Sequence, residues 1–175
     1  MLAVLTAALV LAPATAAEPP FRVPDYVTDR SGVLTPDQRA QVESAVDNLY
    51  NERRVRLWVV YVESFNQDPV GWARVTMQIS SFGDYDALLA VATDERSYAF
   101  LVPSTVASQS EASALQRNEI EPQLRQQDWA GAAVAAADGL VSPSAATPGA
   151  SVSWIGIVVV LAMICLLYTS DAADE

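Results

Sequence analysis

The sequence predicts an α/β domain, with a mixed central β-sheet flanked by helices on both faces, together with one C-terminal transmembrane helix. Helical and strand-like apolar periodicities alternate along the middle of the chain in the order α, β, α, β, β, α, α, which is typical of a sheet covered by helices. The predicted strand 55–62 is apolar almost throughout, as expected of a strand covered on both faces. The segment 152–168 has no charged residue and would be about 25 Å long as a helix, at the short limit for a membrane span.

The predicted first helix begins at Thr35. Thr35 is the N-cap, Pro36 takes the first helical position, and Gln38 stands where a capping box places it. Apolar residues then recur at helical spacing as far as Tyr50. Three arginines near the end of this helix are interpreted as cations that oppose the helix dipole, with an anion-binding site as the alternative. They are Arg53, Arg54 and Arg56.

A β-hairpin is predicted in the centre of the domain. Its strands are 87–92 and 98–102, and the five residues 93–97 join them. Asp94 and Glu95 lie in this loop, where such residues serve chain reversal.

Further helices are predicted on either side of the hairpin. One begins at Asp68, and helical patterns return after Ser108. Pro122 is placed at the start of a new segment, because proline is not tolerated inside a helix. Asp128 is the N-cap of a last helix with a small-residue face, and Gly139 is predicted to end it.

The two ends of the chain are interpreted as targeting and anchoring segments. The apolar run Leu2–Ala12 followed by small residues predicts a secretory signal with cleavage after Ala16 or Ala17, and a buried N-terminal helix is the alternative. Trp154 and Tyr168 flank the apolar segment as interfacial aromatics do, although a buried core helix would share its composition. The predicted organisation is a signal peptide (1–17), an extracytoplasmic domain (18–141), a Ser/Pro/Ala linker (142–151), a transmembrane helix (152–168) and a non-native tail (169–175).

The non-native interpretation of the tail rests on its charge. Asp171, Asp174 and Glu175 follow the apolar segment, where a membrane span normally meets Lys or Arg on its cytoplasmic side. If the tail is foreign, the natural protein continues beyond the membrane. The expected location is the cell membrane, with the domain on the extracytoplasmic side.

Composition narrows the possible functions. The chain has 21 acidic and ten basic residues, all ten being Arg, and a net charge of −11, so nucleic acid is not expected as a partner. The absence of histidine excludes Ser-His-Asp triads, HExxH zinc sites and histidine acid–base chemistry. The single cysteine, Cys165, lies in the apolar segment and is interpreted as a packing residue. Any chemistry therefore depends on carboxylates, hydroxyls, arginine or a bound ion.

Asp84 and Asp86 form the candidate site that the residues themselves indicate. They stand at the start of the first hairpin strand, and the antiparallel partner strand should bring Thr105 beside them. Two carboxylates near a hydroxyl offer oxygen ligands to a hard cation such as Ca²⁺, and two close carboxylates also raise one pKa for proton transfer. A solvated strand entrance is the alternative.

Four stretches of the chain together resemble a TPM domain. They are VTDRSGVLTPDQ (27–38), LWVVYVESF (57–65), the run from Trp72 to Pro103, and IEPQLRQQDWAGAAVAAADGL (120–140). The resemblance covers about Asp25 to Leu140. It implies an α/β sandwich with a mixed sheet. The family includes thylakoid-lumen proteins linked to photosystem repair, some plant acid phosphatases, bacterial envelope proteins, and members with a cation near acidic loops.

The resemblance also implies site residues. The family Asp-Asn-Gly before the first hairpin strand falls on Asp84, Tyr85 and Asp86, so this sequence departs from the pattern at the last two positions. Asp29 matches the Asp of a D-x-x-G-x-L pattern, and a capping or turn role ahead of the first helix is the alternative. Asp84, Asp86 and Asp29 are therefore the candidate metal ligands, with Ca²⁺ as the candidate ion.

These observations support a membrane-anchored, non-enzymatic module that binds an envelope or membrane protein partner and a structural cation. The alternative is an aspartate-dependent acid phosphatase, in which Asp84 or Asp29 is the nucleophile or a metal ligand and Arg96 stabilises charge. The module is also compatible with a larger signalling or scaffold protein that has a cytoplasmic half.

Overall fold

In the computed structural model, which describes residues 18–65 and 67–142, four strands form one mixed β-sheet. In chain order they are β1 (Val27–Asp29), β2 (Arg56–Val62), β3 (Asp86–Ala92) and β4 (Ser97–Leu101). Their order across the sheet is the same, with β1, β2 and β3 parallel and β4 antiparallel to β3. The prediction of an α/β fold with a mixed sheet is confirmed.

Five α-helices and one π-helical turn complete the described part of the chain. They are α1 (Pro36–Arg53), α2 (Pro69–Ile79), α3 (Gln109–Leu115), the π-turn (Gln116–Ile120), α4 (Glu121–Arg125) and α5 (Trp129–Val141).

Helices cover both faces of the sheet. All seven residues of β3 are buried, and the six after Asp86 alternate between two apolar clusters. Leu89 belongs to the cluster that includes residues of α1 and α5, whereas Leu88 belongs to the cluster that includes Trp72 of α2. This two-sided burial is why β2 and β3 are nearly continuously apolar in sequence.

The predicted starts of α1, α2 and α5 are confirmed. Thr35 forms a capping box with Gln38 at the start of α1, and Asp68 and Asp128 accept from main-chain amides at the starts of α2 and α5. The hairpin is also confirmed, with strand bounds shifted by one residue at three of its ends and unchanged at Ala92.

Three details differ from the sequence predictions. Strand β1 was not predicted, because three residues are too few to show a periodicity. Pro122 does not start a new segment: α3, the π-turn and α4 follow one another without a break, and Pro122 is the second residue of α4, directly after the π-turn that widens the helix there. Gly139 does not end the last helix, since α5 continues to Val141; it is the position where α5 packs closely on Leu115.

Strand β4 is an outer strand of the sheet, and residues of α3 and the π-turn line a cleft together with Phe100 and Leu101. Gln116 donates from Nε2 to the main-chain oxygen of Phe100, at 3.2 Å. The Gln116 side chain therefore satisfies a main-chain acceptor of this outer strand.

Within residues 18–65 and 67–142, no helix has both the length and the apolar character needed to cross a membrane. The predicted signal peptide, the transmembrane helix, the tail and the linker after Ser142 all lie outside the described residues.

Candidate ligand-binding site

The three predicted metal ligands lie at opposite ends of the sheet. Asp29 pairs with Tyr61 near the carboxyl end of β2, whereas Asp86 pairs with Arg56 at its amino end. Five residues of extended chain separate these two positions on β2, which corresponds to about 16 Å. The structure therefore does not bring Asp29 together with Asp84 and Asp86, and the three cannot bind one ion.

Asp86 is the most enclosed of the three aspartates, with 3% of its surface exposed. Arg56 contacts its two oxygens through Nε at 2.6 Å and Nη2 at 2.8 Å, in a fork-to-fork arrangement. The indole Nε1 of Trp58 donates to Oδ1 at 3.0 Å, and the amide of Gly83 donates to Oδ2 at 2.6 Å. Both oxygens of the carboxylate are thus occupied by donors of the protein itself.

The hydrogen bond from Trp58 to Asp86 also holds one member of a row of aromatic side chains. Trp58 lies between Tyr26 and Phe82, with ring centroids 4.4 Å and 4.6 Å away. Tyr26 is 42% exposed, and Tyr85, in the same loop as Phe82, is 54% exposed. Ring contacts join Tyr26, Trp58 and Phe82, and Tyr85 is grouped with them because it follows Phe82 in the same loop. These four residues are called the aromatic surface below.

A cleft of about 500 Å³ adjoins the aromatic surface. Tyr26 and Trp58 form part of its wall, and three acidic side chains stand around it with one arginine. The arginine, Arg39, already donates to the main-chain oxygen of Val27 at 2.8 Å. The acidic side chains are those of Asp25, Glu43 and Asp47.

Asp84 is exposed, and its main-chain oxygen accepts a hydrogen bond from the Thr105 hydroxyl. Thr105 is therefore beside Asp84, as the hairpin predicts. In the described part of the chain the Asp84 carboxylate has no hydrogen bond or ion pair, and no group of three or more Asp, Glu or Cys side chains there is arranged to hold a metal ion. Calcium binding stays a prediction of the sequence.

The Asp29 carboxylate closes the loop between β1 and α1. It accepts from the amides of Gly32 at 2.8 Å, Val33 at 3.3 Å and Leu34 at 3.0 Å, and from the Ser31 hydroxyl at 3.3 Å. Gly32 has φ +67°, a conformation that favours glycine. The D-x-x-G-x-L pattern is thus a turn in which the carboxylate binds successive amides, the role named as the alternative.

We expect Asp29→Ala to lower the free energy of unfolding by about 1.5–2 kcal/mol, because it leaves several amides without their charged acceptor. Asp29→Asn should cost less, since its side-chain oxygen still accepts. Urea unfolding of the full chain measures both changes. Asp84→Ala is the matched control and should lie within about 0.5 kcal/mol of the parent. Equal stability of Asp29→Ala and Asp84→Ala would contradict this role.

The carboxyl end of β2 is tied to the start of α5. The hydroxyl of Tyr61, which is fully buried, donates to the main-chain oxygen of Trp129 at 2.8 Å. Burial raises the pKa of this phenol, and the charges of Asp29 and Asp128 raise it further, so that the hydroxyl remains a donor at neutral pH.

Glu95 connects the hairpin loop to the segment after β2. Its carboxylate accepts from the Ser64 hydroxyl, the Phe65 amide at 3.3 Å and the Ser97 hydroxyl at 3.2 Å. The sequence indicated only chain reversal for this residue, because Ser64 and Phe65 are remote in sequence.

A second cavity, of about 510 Å³, opens at the carboxyl end of β3, between the hairpin loop and the region of α4 and α5. Glu121 accepts from the Tyr98 hydroxyl at 3.0 Å and from Arg125 Nη2 at 2.9 Å. Burial raises the pKa of Tyr98, and the hydrogen bond and charge of Glu121 raise it further, so this phenol stays a donor. The cavity is called the arginine pocket and is defined by Arg96, Tyr98, Glu121, Leu124, Arg125 and Trp129.

The structure separates Arg96 from the aspartates with which the phosphatase alternative combines it. Arg96 follows β3, whereas Asp84 precedes it, so the length of that strand lies between them. Asp29 is at the same end of the sheet as Arg96, but β1 and β4 are the two outer strands. Sequence reasoning did not find the arginine pocket, since its walls come from segments about 25 residues apart and share no motif.

Comparison with known proteins gives consistent results. A TPM domain family model matches residues 27–142. Two curated proteins of Mycobacterium tuberculosis, UPF0603 protein MT2410 of strain CDC 1551 / Oshkosh and UPF0603 protein Rv2345 of strain ATCC 25618 / H37Rv, are each 54% identical to this chain over 143 residues. The match covers 80% of this chain and 22% of each relative, so the chain spans about a fifth of the length of these relatives.

Solved structures share the fold. The N-terminal domain of the cg2496 protein from Corynebacterium glutamicum has a TM-score of 0.62 and 29% identity, covering 79% of this chain and 92% of that one. The BA42 protein from Bizionia argentinensis has a TM-score of 0.57 and 14% identity, covering 63% of this chain and 80% of that one, and shows the fold alone. Because the family model matches more than half of the chain, the chain belongs to the TPM domain family.

Proposed function

We propose that this TPM domain is a non-enzymatic binding module, anchored to the cell membrane and facing the extracytoplasmic side, that contributes to the assembly or maintenance of envelope protein complexes. The single observation that supports this function best is the aromatic surface at the amino end of the sheet. Aromatic side chains are enriched at protein–protein interfaces and supply much of their binding energy. Tyr26 and Tyr85, at 42% and 54% exposure, leave large apolar areas in contact with water.

The aromatic surface is held in place before any partner binds. Trp58 is stacked on Phe82, contacts the tilted ring of Tyr26 and donates its indole N–H to Asp86, so its rotamer is fixed. A surface that is already ordered loses less side-chain entropy on binding. The aromatic surface is therefore suited to binding a partner at a low entropic cost.

Charge indicates the chemistry of the partner. The cleft beside the aromatic surface is lined by Asp25, Glu43 and Asp47 against one arginine, and the whole chain has a net charge of −11. Complementary potentials increase association rates and exclude wrong partners. We therefore propose an envelope or membrane protein that presents a basic surface with apolar side chains at its centre.

The membrane location rests on the sequence. The signal peptide (1–17) would direct the chain out of the cytoplasm, and the apolar segment 152–168 would anchor it. The Ser/Pro/Ala linker between the domain and that segment would let the domain reach a neighbouring membrane protein.

The proposal is tested by photo-crosslinking in intact cells that express the full chain. With p-benzoylphenylalanine at Tyr85, we expect one discrete adduct with an envelope protein, and Tyr26→Ser in the same chain should lower its yield at least about fivefold. Tyr50, 44% exposed and outside the aromatic surface, is the matched control position. Equal adducts from positions 50 and 85, or no adduct from position 85, would contradict the proposal.

One observation favours the second candidate, an acid phosphatase. The Asp84 carboxylate is exposed and, among the described residues, has no hydrogen-bond or ion-pair partner, so it remains available as a nucleophile or metal ligand. Hydrolysis of p-nitrophenyl phosphate by the full chain, with and without Ca²⁺ or Mg²⁺, tests it. We expect no hydrolysis. A rate that Asp84→Ala abolishes would establish the phosphatase instead.

A further inference from the structure

We propose that the arginine pocket binds a small organic monoanion, namely a carboxylate attached to an apolar or aromatic group. The pocket lies at the carboxyl end of β3, between the hairpin loop and the segment 121–129. Its volume of about 510 Å³ falls within the range of small-molecule sites. It is larger than a simple inorganic anion requires, so a bulky organic ligand is indicated.

The charges around the pocket favour an anion. Arg96 is exposed and has no ion pair among the described residues. Arg125 is paired with Glu121, whose other oxygen accepts from Tyr98. Two arginines against one glutamate give the pocket a formal charge of +1, in a chain whose net charge is −11.

That formal charge distinguishes between anions. One carboxylate neutralises it, whereas a phosphomonoester, with about −1.5 to −2 charges at neutral pH, leaves an excess of negative charge beside Glu121. The planar fork of the Arg96 guanidinium binds carboxylates and phosphates alike, so the charge decides between them. A carboxylate is therefore the better match.

Apolar side chains form the rest of the wall. Leu124 and Trp129 line the cavity together with Val91 of β3. The main chain of Trp129 is held by the buried Tyr61 hydroxyl, so this side of the pocket is anchored to the centre of the sheet. An aromatic or aliphatic group attached to the carboxylate would bury its surface here. Ligand pockets commonly combine such an apolar wall with a few polar groups that orient the ligand.

The arginine pocket and the aromatic surface are at opposite ends of the sheet, so this inference goes beyond the proposed function and does not depend on it. The test is a titration of the ¹⁵N-labelled full chain with 3-phenylpropionate, followed by amide chemical shifts. We expect saturable shifts at residues 96–98 and 126–129, with a dissociation constant of about 1 mM. The neutral amide, 3-phenylpropanamide, and phenyl phosphate should both bind more weakly.

Three substitutions complete the test. Arg96→Gln and Arg125→Gln should each weaken 3-phenylpropionate binding about tenfold, as loss of a charge-assisted contact does. Arg74→Gln, at an exposed arginine of α2 that does not line the pocket, removes the same charge and should leave binding unchanged. The inference is overturned if shifts are absent or do not saturate, if the amide or phenyl phosphate binds as tightly, or if Arg74→Gln weakens binding as much as Arg96→Gln.

Discussion

Arg56→Met is expected to lower the free energy of unfolding by about 3 kcal/mol, because it leaves the Asp86 carboxylate enclosed without its counter-charge. Asp86 is 3% exposed, and only the Trp58 indole and the Gly83 amide would still donate to it. Methionine keeps most of the length of the arginine stem, so lost packing contributes little. The midpoint of thermal unfolding should fall by about 10 °C in a domain of this size.

Asp86→Asn provides the second side of a double-mutant cycle. In the Arg56→Met background it removes the unpaired charge, so we expect the double variant to be more stable than Arg56→Met alone. Arg74→Met, at an exposed arginine, controls for the general loss of one positive charge and should change stability by less than about 0.5 kcal/mol. A cost for Arg56→Met no larger than that of Arg74→Met would show that solvent compensates Asp86 in place of the arginine.

Gly139→Ala is expected to destabilise the domain by about 2–3 kcal/mol through overpacking. A Cβ atom at this position would lie 2.1 Å from Cδ1 and 2.9 Å from Cδ2 of Leu115, whose side chain is itself buried in the larger apolar cluster. Alanine has a higher helix propensity than glycine, which offsets about 1 kcal/mol of the cost of the clash. A net destabilisation below about 2 kcal/mol would indicate that α3 shifts away from α5.

Leu115→Ala removes the atoms with which the new methyl group collides. If the clash is the cause, Gly139→Ala should be nearly neutral or stabilising in the Leu115→Ala background, as measured by denaturant unfolding. Gly71→Ala, in α2, is the control for alanine at a helical glycine, because its Cβ would meet no apolar side chain and only the exposed cap Asp68, whose Oδ2 is 3.2 Å away. The overpacking explanation is wrong if Gly139→Ala has the same effect in both backgrounds.

Local signals in the sequence predicted most of the fold. The helix caps were predicted because each acts within one helical turn, where the interacting residues are close in sequence. They are the capping box of Thr35 and Gln38 and the N-caps Asp68 and Asp128. Strand β1 has only three residues and forms by pairing with a strand some 30 residues later, which no local pattern reveals. Gly139 was interpreted as a helix end because glycine often ends helices. Its close packing on Leu115 could not be predicted, since Leu115 is remote in sequence.

The candidate site was less predictable than the fold for the same reason. The candidate carboxylates could be identified in the sequence, but the side chains that bind them could not. Arg56 reaches Asp86 from 30 residues away, because β2 and β3 pair in parallel and in register there. The sequence attributed Arg56 to a helix end and Asp86 to a cation. Only the pairing of the strands shows that these two side chains form an ion pair.

The Gln116 contact with the outer strand β4 bears on how this domain avoids self-association. An unpaired edge strand is a template onto which a strand of another molecule adds, and repeated addition leads to aggregation. Gln116 covers the Phe100 oxygen with a side chain, and at the other edge β1 is only three residues long. Both features make the edges less available for strand addition, which would favour separate folded molecules where many copies of the domain are crowded together.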